Sequence, residues 1–196
     1  FLALVKPGAP AAPAEPWVAR VLSAEDWPKV EAFIRQLDKD DIHSRWFTVS
    51  VDDAVGRERD AFPGAPRYRP GSVVMGLFDP TGKTLVAYGS ISLLSGQRAE
   101  PAVAVHPNFR KKGCGKQAMR WMVAYLRNRG FTELWSFYMS ENRAAGGLLH
   151  SLGLGELPPD PQEHGIPHDW STTTWIHQLP APDAASVAGV GRPGRR

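Results

Sequence analysis

Apolar and polar positions along this chain fall into short runs whose period switches between that of a strand and that of a helix. Residues 17–22 alternate as a first strand. Ser23 follows as a helix N-cap with Asp26 three residues on, which predicts a helix through Leu37. A second short helix is predicted over 40–47. Residues 52–71 are charged and then rich in Pro and Gly, so they read as a helix stub and a loop. The apolar runs 72–78 and 85–94 flank the turn sequence Asp79-Pro80-Thr81-Gly82 and together predict an antiparallel hairpin.

Another short run covers 101–105. Beyond a basic glycine loop, Met119, Met122, Val123 and Leu126 recur at helical spacing within 116–129, and Gly130 closes that helix. Residues 133–139 read as a strand and 142–152 as a helix ended by Gly153. A Pro-rich loop over 155–170 leads to a last strand at 172–179. Hairpin strands followed by a β-α-β-α stretch predict an α/β fold with a mixed sheet flanked by helices.

Composition narrows the class. The chain has 196 residues, 42% hydrophobic and 22% charged, which fits one domain or a small pair and excludes collagen, coiled coil and wholesale disorder. Residues 1–15 are rich in Pro and Ala and 180–196 in Pro, Gly and Arg, so both flanks read as tails or linkers around a folded unit at 16–179. Of the formal net charge of +3, Arg192, Arg195 and Arg196 against Asp183 place much in the last tail. The body is near neutral and has no broad basic stripe, so nucleic acid is not the expected partner. No apolar run approaches the roughly 20 residues of a membrane span. The start lacks the pattern of a secretory leader, and Cys114 is the only cysteine, so a reducing, cytoplasmic setting without disulfides or a Cys-based zinc site is expected.

Chemistry concentrates in 99–119. Gly113 and Gly115 let backbone amides approach a ligand, the helix that follows directs its positive dipole end there, and Arg110, Lys111 and Lys112 flank it. That combination suits a phosphate-bearing ligand; the plainer reading is a tight turn beside a solvated basic surface. A Walker A loop fails, because Arg110 and Gln117 stand where it needs Gly and Ser or Thr. Gly113, Gly115 and Ala118 fit a dinucleotide fingerprint with Glu141 as its acid. Residues 106–112 intervene between strand and first glycine, however, and no second nucleotide-binding half is evident.

The run Val105-x-Pro107-x-x-Arg110-x-x-Gly113-x-Gly115 resembles the acyl-CoA pyrophosphate loop of the GNAT acyltransferases. Asn142, Ala145, Leu148, Gly153 and Leu154 resemble the second motif of that superfamily, at the appropriate interval. The resemblance implies the GNAT fold, acetyl-CoA as acyl donor and an amine acceptor. It implies that Val103, Ala104 and Val105 receive the pantetheine arm, and that Arg110, Lys111, Lys112, Gly113, Cys114, Gly115 and Lys116 form the pyrophosphate loop. Asn142 then contacts the arm from the second motif. Within the superfamily, Asp41, Arg45, Trp46 and Phe47 with the later Ala99-Glu100-x-Ala102-x-x-Val105 resemble the bacterial Pat-type protein lysine acetyltransferases. That likeness implies Glu100 as general base and protein lysine as acceptor, with a small-molecule amine as the alternative. A non-catalytic acyl-CoA sensor is the contrasting reading.

The chemistry itself asks for such a base. With an ordinary pKa near 10.4, only about one lysine amine in 2,500 is neutral at pH 7, a deficit of roughly 4.6 kcal/mol. Glu100 precedes Pro101, which biases it to an extended backbone. Pro101 lacks a ladder donor and so belongs at a strand start or a bulge. Many GNAT enzymes carry a Tyr acid where this chain has Leu149, so the thiolate leaves without a dedicated acid, or His150 or Tyr138 serves. Cys114 as a nucleophile and a metal site at His164 and His168 rank lower, for want of partner residues, and no metal is expected. The tryptophans read as core or rim.

Overall fold

The computed structural model describes residues 17–68, 72–94, 96–153, 155–157 and 172–179. The hairpin is strands β2 (Val73–Phe78) and β3 (Leu85–Leu93), its turn held by Asp79, whose Oδ1 accepts from the amides of Lys83 and Thr84 at 3.0 Å each. Around it the chain runs β1 (Val18–Val21), α1 (Trp27–Ile34), α2 (Lys39–Trp46) and α3 (Val51–Ala61) before the hairpin. After it come β4 (Arg98–Val105), α4 (Cys114–Arg127), β5 (Glu133–Met139), α5 (Arg143–His150), β6 (Gly155–Leu157) and β7 (Thr172–Gln178). The sheet has the order β1-β2-β3-β4-β5-β7-β6, and β4–β5 is its parallel pair. A mixed sheet flanked by helices is the architecture expected from the pattern. The tails, His164, His168 and Trp170 lie outside the described residues.

Each sheet face carries its own core. On one side α1, α2 and α3 contribute Val30, Phe33, Ile34, Ile42, Trp46 and Ala54 over Val74, Phe78 and Tyr88. On the other, α4 lays Ala118, Met119, Met122 and Leu126 over Met75, Leu77, Ala87 and Ile91. The helical spacing in 116–129 marks that buried stripe.

Four elements depart from expectation. The helix predicted over 23–37 is a single 3₁₀ turn, Ala24–Asp26, and then α1. The expected Ser23 N-cap with Asp26 as its capping-box acid is present: the Asp26 carboxylate accepts from the Ser23 amide at 3.1 Å and from two Arg20 guanidinium nitrogens at 2.7 Å each, and Pro28 stands in the first turn of α1. The stub in 52–71 is a full helix, α3, capped by Ser50 and buried along Ala54, Val55 and Glu58. Its inward stripe includes an acid, which hydropathy reads as surface. β4 starts at Arg98, three residues before the predicted run. Residues 155–157 form a short strand on β7 where a loop was expected.

Asp26 is 8% exposed in its side chain, and the Arg20 guanidinium holds its carboxyl well below the ordinary carboxylate range. A depressed folded pKa contributes stability that is complete above the unfolded value near 3.9 and is lost as pH falls toward the folded value. Asp26→Asn is therefore expected to cost about 1–2 kcal/mol at pH 7, a figure discounted for the exposure of Arg20, and less below pH 3. Urea unfolding midpoints of both proteins between pH 7 and pH 2 check this; a gap that does not narrow in acid would refute it.

Candidate active site

β4 and β5 pair only at Arg98↔Glu133 and Ala99↔Leu134. Beyond Ala99 the two parallel strands part, while β4 keeps an unbroken register with β3 from Ala99 to Val105. Backbone direction along β4 follows from two hydrogen bonds to that neighbour. The His106 amide donates to the Val86 carbonyl at 2.9 Å, and the Leu94 amide donates to the Arg98 carbonyl at 3.0 Å. Even-numbered residues thus turn their backbone groups to β3, and Pro101, Val103 and Val105 turn theirs to the opening. Pro101 is tolerated inside the strand because its missing N–H falls on the parted edge, not at a bulge or a strand start. Of the three residues expected to receive a pantetheine arm, Val103 and Val105 face the opening. Ala104 does not: its backbone faces β3 and its methyl enters the α1-side core.

The glycine loop closes one end of this opening. Lys111 and Gly113 both adopt left-handed conformations, φ +58° and +83°, and Gly113 is the N-cap of α4. This turn lifts Lys111, Lys112 and Gly113 to the surface. Gly115 sits tight against β4 and α5: a Cβ there would stand 3.3 Å from Val105 Cγ2 and 3.7 Å from Leu148 Cδ2. Narrow clearance, an exposed left-handed turn and the N-terminal end of a 14-residue helix fit a diphosphate group. The Arg110 guanidinium is committed elsewhere: it bonds Asp38 at 3.0 Å and, more closely, Asp41, the two residues of the α2 capping box. Cys114 is 1% exposed and its side chain belongs to the α4-side core, so the loop offers no accessible thiol. Asn142 caps α5, its Oδ1 accepting from the Ala145 amide at 3.0 Å.

His106 ends β4. Its Nδ1 accepts from the Asn108 amide at 3.2 Å, which leaves Nε2 to donate to Gln36 Oε1 at 2.9 Å. Burial, and then the charge of Arg110, push its pKa below the ordinary value. A neutral His106 thereby pins the start of the loop to α1.

Glu100 lies on the α1–α3 face of β4, opposite Ser92 of β3. It is half-buried, and burial raises its pKa against the opposing charge of Arg45. Beside it is a polar cluster that the sequence did not reveal. The Glu58 carboxylate, 7% exposed, accepts from Trp46 Nε1 and from the Tyr88 hydroxyl at 2.6 Å each. Burial and this carboxylate hold the Tyr88 phenol well above its ordinary pKa. The signal for Glu58 was present as spacing: it is four residues from Ala54 and three from Val55, on the inward face of α3.

Leu149, at the position where a Tyr acid was sought, is buried in the α4-side core, and His150 is exposed. Tyr138 lies over Gly146 of α5, its hydroxyl 3.4 Å from where a Cβ would stand. Among the described residues no group of three metal-ligating side chains is found, and no helix is long and apolar enough to cross a membrane.

A [Ribosomal protein bS18]-alanine N-acetyltransferase of Salmonella typhimurium is 35% identical over 54 residues, 28% of this chain and 36% of that protein. The match thus spans about a third of that relative's length. Among solved structures, the GNAT domain of S. lividans PAT superposes with a TM-score of 0.65 at 13% identity, covering 83% of this chain and 90% of that one. Spermidine N-acetyltransferase from Vibrio cholerae, in complex with CoA and spermine, gives 0.60 at 15% identity over 83% and 95%. Both likenesses are of fold. The family model described as Acetyltransferase (GNAT) family matches residues 32–154, spanning the parted strands, the glycine loop and both helices that flank it, so the chain belongs to the GNAT family of acetyltransferases.

Proposed function

We propose that this chain transfers an acetyl group from acetyl-CoA to a primary amine, with a protein lysine side chain as acceptor and Glu100 as general base. The observation that carries the reading is the parting of β4 from β5 beyond Ala99, with the Gly113–Gly115 turn at one end and Glu100 on the adjoining sheet face. Backbone groups of Val103 and Val105 suit an extended arm bound as an added strand, and an amide there polarises the thioester carbonyl. The glycine loop takes the diphosphate. Side chains of Lys111, Lys112 and Lys116 add charge, and Arg110 braces the loop on α2.

In the reaction, the Glu100 carboxylate takes one proton from the acceptor ammonium. The neutral nitrogen attacks the carbonyl carbon, a C–N bond forms as the C–S bond breaks, and the nitrogen's surplus proton goes to the departing thiolate. A thiolate is a competent leaving group, so a buried Leu149 in place of a tyrosine does not block turnover. Phe47 and Val49, two and four residues beyond Arg45, are exposed by 50% and 71%, apolar surface suited to a peptide-borne amine.

Acetyl-CoA at 100 times its dissociation constant is expected to stabilise the chain by about 2.7 kcal/mol, and NAD at equal concentration not at all. Release of CoA thiol is then expected with lysine-containing peptides in excess of spermidine. A thermal shift with NAD alone would sink the acyl-donor reading. A shift with acetyl-CoA but no thiol release from any amine would make the chain a sensor.

A further inference from the structure

The Glu58 cluster does more than fill the space under α2 and α3. Glu58 is fixed through both oxygens, by Trp46 Nε1 and the Tyr88 hydroxyl, and its Oε2 stands 3.8 Å from Arg45 Nη2. The same Arg45 nitrogen donates to Ser90 Oγ at 2.6 Å, and the guanidinium lies 5.0 Å over the Trp46 ring. Arg57 Nη1, donating to the Trp46 carbonyl at 2.9 Å, ties the end of α2 to α3. Arg45 is therefore held from α3, from β3 and by its own neighbour.

Ser90 is opposite Ala102 and Ser92 opposite Glu100, so Ser90 and Glu100 are diagonal neighbours on one sheet face. The cation anchored on Ser90 lies beside the sealed carboxylate of Glu58, and its charge acts on Glu100, the diagonal neighbour of Ser90 on the same sheet face. Other charged groups on the packed elements look elsewhere. Lys39, Asp40 and His43 of α2 are exposed, as are Arg57 and Arg59 of α3 and Lys29 and Arg35 of α1. Asp41 bonds Arg110, Glu31 bonds Arg35, and Arg98 of β4 bonds Glu133 of β5.

We propose that Arg45, anchored by Glu58 and Ser90, is the positioning residue of acetyl transfer, holding the Glu100 carboxylate ionised and oriented to receive the acceptor ammonium. This rests on the reading of Glu100 as base. One cation for two carboxylates leaves the cluster net negative, which favours an arriving ammonium over an anionic acceptor. Lysine lacks the planar guanidinium that lies over the Trp46 ring, so an Arg45→Lys change keeps the charge and loses the orientation.

The experiment is a titration of the Glu100 carboxyl by carbon-13 NMR, in protein labelled at glutamate Cδ, with the resonance assigned by its absence in Glu100→Gln. Arg45→Gln is expected to raise the midpoint by about one pH unit, and Glu58→Gln to lower it. Arg45→Lys is expected to keep the midpoint near that of the wild type but to lower kcat severalfold with KM for acetyl-CoA unchanged. Loosened packing cannot produce shifts of opposite sign from two neighbours in one cluster. Midpoints that coincide in the wild type, Arg45→Gln and Glu58→Gln would overturn the proposal; if Arg45→Gln does not fold, the Glu58→Gln shift and the Arg45→Lys kinetics decide it. Separately, wild-type turnover in Glu100→Gln alongside the expected shifts would remove Glu100 as base and leave its coupling to Arg45 standing.

Discussion

Glu100→Gln is expected to lower kcat by about 10²–10⁴-fold while leaving acetyl-CoA affinity within about twofold. The asymmetry follows from placement. Glu100 projects from the α1–α3 face of β4, whereas the backbone groups that face the opening belong to the odd-numbered residues beside it. The same substitution has a second, opposite signature in stability. Burial raises the folded pKa of Glu100, so its contribution to stability is greatest below the unfolded value near 4.3 and is lost as pH rises through the folded value. At pH 7 the ionised carboxylate is a net cost, which a neutral amide does not carry. Glu100→Gln is thus expected to melt at or above the wild-type temperature at pH 7, with its advantage shrinking toward pH 4. Turnover against pH and thermal melting on the same preparations check both halves. Lost activity with a lowered melting temperature would mean a damaged fold, and unchanged activity would mean that another group takes the proton.

Where one period ran long enough, the fold was legible in the sequence. The stripe of Met119, Met122 and Leu126 gave α4 to within two residues at each end, because one helix face meets one sheet face. The hairpin was equally plain, since Asp79 and Gly82 allow little besides a turn. Legibility failed where a polar side chain faces inward. Asp26 caps with Ser23 as its spacing suggested, but its burial against Arg20 was not legible, and Glu58 turns the charged segment at 51–61 into a buried-face helix. Both are acids that hydropathy assigns to solvent, and both are satisfied by groups that folding brings to them, Arg20 and Ser23 for Asp26 and Trp46 and Tyr88 for Glu58. In the candidate site, the glycine loop could be read because its spacing is local. Arg45 was visible as part of a family likeness, but its anchors on α3 and β3 lie 13 and 45 residues away and leave no local pattern. The alternation that separates Val103 and Val105 from Ala104 was available in principle, since neighbouring strand residues face opposite ways, but it needed the partner of each edge to be known.

Glu58→Ala is expected to destabilise the chain by about 3–5 kcal/mol, a large fraction of the roughly 5–15 kcal/mol typical of a whole domain. Truncation removes the acceptor of two 2.6 Å hydrogen bonds and leaves the Trp46 indole N–H and the Tyr88 hydroxyl buried without it, with Tyr88 fully inaccessible. It also strips Arg45 of its nearest countercharge, while Arg45 Nε already has no hydrogen-bond partner. The cost therefore comes from what is left behind more than from the bonds lost. That origin is testable: adding Tyr88→Phe to Glu58→Ala removes one stranded group, so the double variant should recover part of the loss, whereas Tyr88→Phe alone should cost about 1–2 kcal/mol by leaving one carboxylate oxygen unpaired. Urea unfolding of the three variants at pH 7 gives the coupling directly. Strictly additive losses would mean that water enters the space vacated by Glu58 and satisfies Trp46 and Tyr88, and the cluster would then be a site of hydration and not a sealed brace for α2.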